Sequence, residues 1–196
     1  MATPSLCSKL FSGFDSSCDI PSRKYFQQAV LINKLDIETF TVTTPAKVPT
    51  PTCEYKVTFN LLSTKTGYLF IGPEAGSSFL GYFDKTRSDL GHPSYIHNAQ
   101  ILITGASEEQ KCTLDSLDQG SFVAAYQLKD GTVEIYGIRN GLSTGDYSYN
   151  LQEGGGGTAI LVSSLEDAPE NEIPLVYEAA VPGQEGADFD SLFANP

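Results

Sequence analysis

The sequence predicts a mainly β fold, a sandwich or barrel with one short flanking α-helix, and three stretches carry that expectation. In "CEYKVTFNLL" Cys53, Tyr55, Val57, Phe59 and Leu61 fall on one face and Glu54, Lys56, Thr58 and Asn60 on the other, the alternation of a strand with one wet side. In "FVAAYQLKDGTVEIYGIRNGL" two strand-forming runs flank Lys129-Asp130-Gly131, and the second run ends at Asn140-Gly141, as a hairpin and its following corner require. Only "ASEEQKCTLDSLDQG" reads as a helix, over 107–118: Ser107 can cap it, Gln110 stands three residues on, Glu108 and Glu109 suit its positive end, and Gly120 stops it.

The remaining elements follow in order. Residues 1–22, rich in Ser and Cys, read as an N-terminal arm. Two strand-like runs, 25–32 and 37–43, surround a turn at 33–36, and the Pro-rich "PAKVPTPT" leads to the alternating strand. A shorter strand, "GYLFI", precedes 72–94, whose glycines, prolines and aromatics Phe79, Tyr82 and Phe83 predict a long loop, a kind of segment that in compact domains tends to meet a partner. "YIHNAQILITG" is a strand entering the helix. After the hairpin, Gly154 to Gly157 allow backbone angles closed to other residues, as a flexible link or as a shaped corner, before a last strand over 158–164. Residues 181–196 read as an acidic C-terminal tail, leaving 23–180 as a single β-rich domain, the number expected for 196 residues.

Charge restricts function more than length does. The formal net charge is −12, and beyond Arg139 there is no Lys or Arg, while carboxylates recur from Asp146 to Asp190. Such a surface repels phosphate and argues against ordinary binding of nucleic acid or anionic membrane, which depends on basic side chains. Without a long apolar run, neither a membrane span nor a signal peptide is expected. Cys7, Cys18, Cys53 and Cys112 show no metal-binding spacing; a bridge between Cys7 and Cys18 stays open, reduced thiols are the preferred reading, and Cys112 is expected as a buried helix thiol.

Candidate reactive groups do not converge. His92 and His97 lie near Ser88, Asp89 and Ser94, yet the spacing matches no nucleophile elbow or triad, and His97 shares its alternating face with Tyr95, Ala99, Ile101 and Ile103, as a satisfied strand histidine would. Asp84, Asp89, Asp115 and Asp118 form no calcium loop or paired-acid motif. The glycine run lacks the Lys and the Ser/Thr of a phosphate-binding loop. No catalytic residue, metal ligand or cofactor site is expected. Strand edges that need pairing or shielding make self-assembly the first functional hypothesis.

The succession "YIHNAQILITG", "SEEQKCTLDSL", "GSFVAAYQLKDGTVEIYGIRNGL", a glycine-rich link and "TAILVSSLEDAPENEIPLVY" resembles the tail tube proteins of tailed bacteriophages and related prophages, as does the N-terminal "CSKLFSGFDSSCDIPSRKYFQQAVLIN". The resemblance covers about two-thirds of the chain and rests on patterns of strands and turns, including a G-x-x-x-G corner at Gly137 and Gly141. It implies homohexameric rings stacked into a hollow tube within the virion, through which DNA passes without specific binding. It also implies ring-to-ring contacts by the 72–94 loop, with Phe79, Tyr82 and Phe83, and by both arms, an outward-facing helix, and tape-measure, terminator and baseplate partners; Gly137 and Gly141 are its corner glycines, and Gly154 and Gly157 are further candidates in the glycine-rich link. An acidic wall would suit such passage, because it offers phosphate no place to bind. Related parts, such as a tail terminator, a neck or ring adaptor, a capsid decoration protein or the inner tube of a contractile injection machine, share these features. A secreted carbohydrate-binding sandwich comes next, disfavoured by the absence of Trp, and a hydrolase third.

Overall fold

Alternation of side chains along a strand lets one strand serve two cores, and the central strands here do so. The computed structural model describes residues 25–44, 54–72, 79–87, 91–128, 130–149 and 156–195. The expected N-terminal arm, Cys7, Cys18, Cys53, Ser88, Asp89 and Gly154 lie outside these. The strands are β1 (Tyr25–Asn33), β2 (Ile37–Thr43), β3 (Lys56–Leu61), β4 (Gly67–Ile71), β5 (Leu80–Arg87), β6 (Pro93–Thr104), β7 (Phe122–Leu128), β8 (Val133–Tyr136), β9 (Ser143–Thr144), β10 (Gly157–Ser163), β11 (Leu175–Tyr177) and β12 (Ala194–Asn195). Helix α1 (Glu108–Gln119) stands between β6 and β7, and α2 (Glu185–Asp188) is a single turn near the C-terminus. The fold is mainly β, with two sheets packed as a sandwich. One sheet has eight strands in the order β12-β4-β1-β7-β8-β11-β3-β2, the other four in the order β5-β6-β10-β9.

On β1 and β7, Ala29, Leu31, Phe122, Ala124 and Tyr126 face the small sheet and meet Ala99, Ile101, Ile103, Ile160 and Val162 there. Their neighbours Val30, Ile32, Val123 and Ala125 face the other way, into a second core with Val57, Phe59, Ile135, Leu175, Phe189 and Phe193. This explains why "FVAAYQL" carries no polar face to read: the strand is buried on both sides. Phe59, on a strand next to one end of the large sheet, stacks on Phe193 at 4.9 Å, and Phe193 leads directly into β12 at the opposite end. The large sheet therefore curls around its second core.

Helix α1 begins as its sequence requires: Gln110 N–H donates to Ser107 Oγ, and the Ser107 N–H donates back to Gln110 Oε1. Leu114 and Leu117, three residues apart, bury one face against the inter-sheet core. Cys112, two positions before Leu114, falls on the opposite side and is exposed, so the expected buried thiol is corrected to a surface one.

Two further expectations change. The 72–94 segment is not one long loop, because its middle forms β5, an eight-residue strand paired antiparallel with β6 from Leu80↔Gln100 to Arg87↔Pro93. The acidic C-terminus is not an extended arm over the described residues: Phe189 and Phe193 are fully buried, and β12 pairs in parallel with β4. Two buried phenylalanines supply roughly 2–3 kcal/mol each of transfer free energy, enough to hold a short acidic segment down.

Candidate functional site

Two features stand out from this frame, an uncovered edge and a buried polar clasp. The edge is β5. At the other edge of the small sheet, β9 is two residues long and lies against α1, with Thr144 Oγ1 at 3.5 Å from the Leu117 carbonyl. At its own edge β5 runs eight residues, of which only Gly81 is buried. Gly81 must be small: a Cβ there would come within 2.5 Å of the Tyr136 ring, which crosses from the large sheet. Phe83 stands opposite His97 on the face turned toward the large sheet, beyond the reach of its cover, and its ring meets Tyr95 edge-on at 5.8 Å. Tyr82 points to the outer face beside Asn98. Phe83 is 43% exposed and Tyr82 37%, and together with Gly81, Glu134, Tyr136, Ile173 and Pro174 they line a shallow cleft.

Phe79, expected among the exposed aromatics, is a core residue: it is buried in the inter-sheet cluster, with Gly72 leaving room for its ring. Of the three aromatics singled out from the sequence, the structure thus brings Tyr82 and Phe83 to the edge and takes Phe79 inside.

The second feature is the corner after β8. Gly137 and Gly141 both take positive φ, 75° and 84°, and the Gly141 N–H donates to the Gly137 carbonyl at 2.9 Å. A side chain at Gly137 would strike Leu142, and one at Gly141 would strike the Ser121 hydroxyl at 2.1 Å. These two corner glycines are therefore required by both angle and space. Gly157 is an extended strand residue paired with Thr104, where a Cβ would press on Leu102 and Thr104.

Across this corner lies the connection from β10 to β11, and its carboxylates hold it. Glu170, 1% exposed, accepts from the Asn140 N–H at 2.8 Å and the Arg139 N–H at 3.2 Å. Burial pushes its carboxyl above the usual range, and the two N–H donors work against that shift. Lys34 donates its Nζ to the Ile138 carbonyl, and burial lowers its ammonium below the ordinary value while Glu170 raises it. Arg139 grips Glu172 with two hydrogen bonds of 2.7 and 2.8 Å, which hold the guanidinium further into its charged form.

His97 completes the clasp from the small sheet. Gly137 donates its N–H to His97 Nδ1 at 3.1 Å, and His97 Nε2 lies 2.9 Å from the Glu172 carbonyl oxygen. It is a satisfied core histidine, as its strand position predicts. Its pKa is pushed down to about 4, chiefly by burial, with the Glu172 contacts opposing.

The other sequence candidates are dispersed. His92 is exposed on the approach to β6. Asp84 accepts from Asn98, Asp115 from Gln119, and Asp118 from Tyr147. The sequence does not single out Glu170 and Glu172; the one signal is a glutamate flanked by Pro169 and Asn171 within the run of carboxylates beyond Arg139. Among the described residues other carboxylates beyond Arg139 are also used internally, since Glu178 pairs with Lys56 at 2.7 Å and Asp188 accepts from the Tyr177 hydroxyl at 2.9 Å. No family model matches this chain, and no curated protein or solved structure matches it significantly.

Proposed function

We propose that this chain is a structural subunit that assembles with copies of itself, and specifically a tail tube subunit of a phage virion, forming rings that stack into a hollow conduit for DNA. The observation that carries the reading is β5: an eight-residue edge strand whose first half bears exposed Leu80, Tyr82 and Phe83, while Asp84, Lys85 and Arg87 in its second half restrict pairing to a partner of matching charge. Copies meeting at such edges close a ring and remove the hazard. The mainly β sandwich supports the reading, as does the order of strands, helix, hairpin and corner that first suggested the tail tube family. The net charge of −12 fits a wall along which phosphate slides without adhering.

Negative-stain imaging of the purified full chain tests the assignment. Stacked rings or tubes with a central channel are the expected result; isolated particles of monomer size at every concentration would refute it. Tape-measure, terminator and baseplate proteins are the partners such a subunit would have.

A further inference from the structure

We propose that the 137–142 corner and the 164–174 connection form an acid-opened clasp, closed only while His97 is neutral and released when the ring takes a second proton. This inference is independent of the assembly reading.

The geometry fixes the protonation state. A backbone N–H can only donate, so His97 Nδ1, 3.1 Å from the Gly137 nitrogen, must present its lone pair. A carbonyl can only accept, so Nε2, 2.9 Å from the Glu172 oxygen, must carry the hydrogen. The neutral Nε2–H tautomer alone satisfies both. A further proton has one place to go, Nδ1, and there it faces the Gly137 N–H, donor against donor. The protonated ring and the Gly137 contact are mutually exclusive, so the charged form requires the corner to move.

What would move is defined by the connectivity. The corner carries the chain from β8 of the large sheet to β9 of the small one, and the 164–174 connection carries it back from β10 to β11. His97 ties both to β6: its ring joins Gly137 and Glu172, its backbone N–H donates to Ser164 Oγ, and its carbonyl accepts from the Ser164 N–H. Asn140 Nδ2 to the Pro169 carbonyl at 2.7 Å and the Arg139–Glu172 pair join the two segments directly.

The charged and titratable groups around the ring set the sign. Tyr136 on β8 packs edge-on at 5.7 Å, and its hydroxyl donates to Glu134. The 137–142 corner presents Arg139, and the 164–174 connection presents Glu172, paired with that Arg, and Glu170, with Lys34 behind it. On β5, Phe83 lies opposite His97 with Asp84 and Lys85 beside it, and β10 contributes no charged residue. In the closed clasp the His97 pKa is about 4, against an ordinary value of 6.5 once the ring is released to water. Protons therefore favour the open form between those values: closure is full above pH 6.5 and is lost as pH falls toward 4. Each pH unit within that window changes the closed-to-open ratio by up to about tenfold. Glu170 acts in the opposite sense, because a carboxyl raised by burial takes its proton more readily in the closed form. Its two N–H donors favour the ionised carboxylate and limit that opposition.

Hydrogen–deuterium exchange of the purified full chain, read by mass spectrometry from pH 7.5 to 4.5 and corrected for intrinsic exchange, tests the clasp. Peptides covering 137–142 and 164–174 are expected to exchange at least about tenfold faster at the acid end, while the β1–β7 pair keeps its protection. His97→Gln, which cannot take the charge, is expected to flatten the acid step to less than about twofold. Glu170→Gln removes the opposing group and is expected to keep or steepen it. A wild type whose two segments show no acid step overturns the proposal on its own, even where His97→Gln fails to fold. So does an equal step in folded His97→Gln, or a step abolished by Glu170→Gln.

Discussion

The two sheets of this molecule differ in what they leave undone. The eight-stranded sheet buries both faces at its centre and joins β3 to the segment before β12 through Phe59 and Phe193, so its second core is held internally although β2 remains an open edge. The four-stranded sheet covers one edge with α1 and leaves β5 exposed along its length, the edge that the proposed assembly would cover. On the proposed assembly, the difference separates what folds the chain from what it would offer to another copy. Substitutions should divide accordingly into those that cost stability and those that cost association.

The largest effect should come from the C-terminal plug. Phe193→Ala removes a fully buried ring that touches Phe59 and Tyr177 and is expected to cost about 3–5 kcal/mol, read as a lowered denaturant midpoint. A loss below about 1 kcal/mol would show that the second core does not need its C-terminal segment. Next, Glu170→Ala removes the buried acceptor of the Arg139 and Asn140 N–H groups and should destabilise by about 1–3 kcal/mol in chemical denaturation. Gly141→Ala places a Cβ at positive φ against Ser121, and about 1–2 kcal/mol is expected from a thermal melt. Between pH 6.5 and about 4, stability should fall as His97 is forced to charge, and a pH series of melts on wild type and His97→Gln would isolate that slope. Smallest in stability is the edge: Phe83→Ser should stay within about 0.5 kcal/mol of wild type while weakening association.

How much of this the sequence reveals follows the same division. Strand β7 and the Ser107–Gln110 cap are legible because the signals are local, a run of strand formers and a reciprocal pair three residues apart. Gly137 and Gly141 are legible as a corner because their conformational demands are local too. Strand β5 escapes because an edge strand exposes both faces: Leu80, Tyr82, Asp84 and Thr86 alternate with Gly81, Phe83, Lys85 and Arg87, and neither set is apolar. The C-terminal plug escapes because Phe189 and Phe193, at helical spacing, sit among acids and small residues that suggest a solvated tail. The clasp is invisible for a different reason. Its partners, His97, Gly137 and Glu172, meet only through the fold, and no spacing along the chain announces them.

Assembly through the exposed edge of the small sheet is most directly tested by sedimentation velocity on the wild type and on a Tyr82→Lys/Phe83→Lys double variant, over a wide concentration range. The wild type should sediment as species that grow with concentration, and the variant as a monomer with an unchanged melting temperature, because two lysines in place of Tyr82 and Phe83 remove the apolar contacts and add to Lys85 and Arg87 on the same edge. A wild type that stays monomeric throughout, or a variant that assembles equally well, would contradict it.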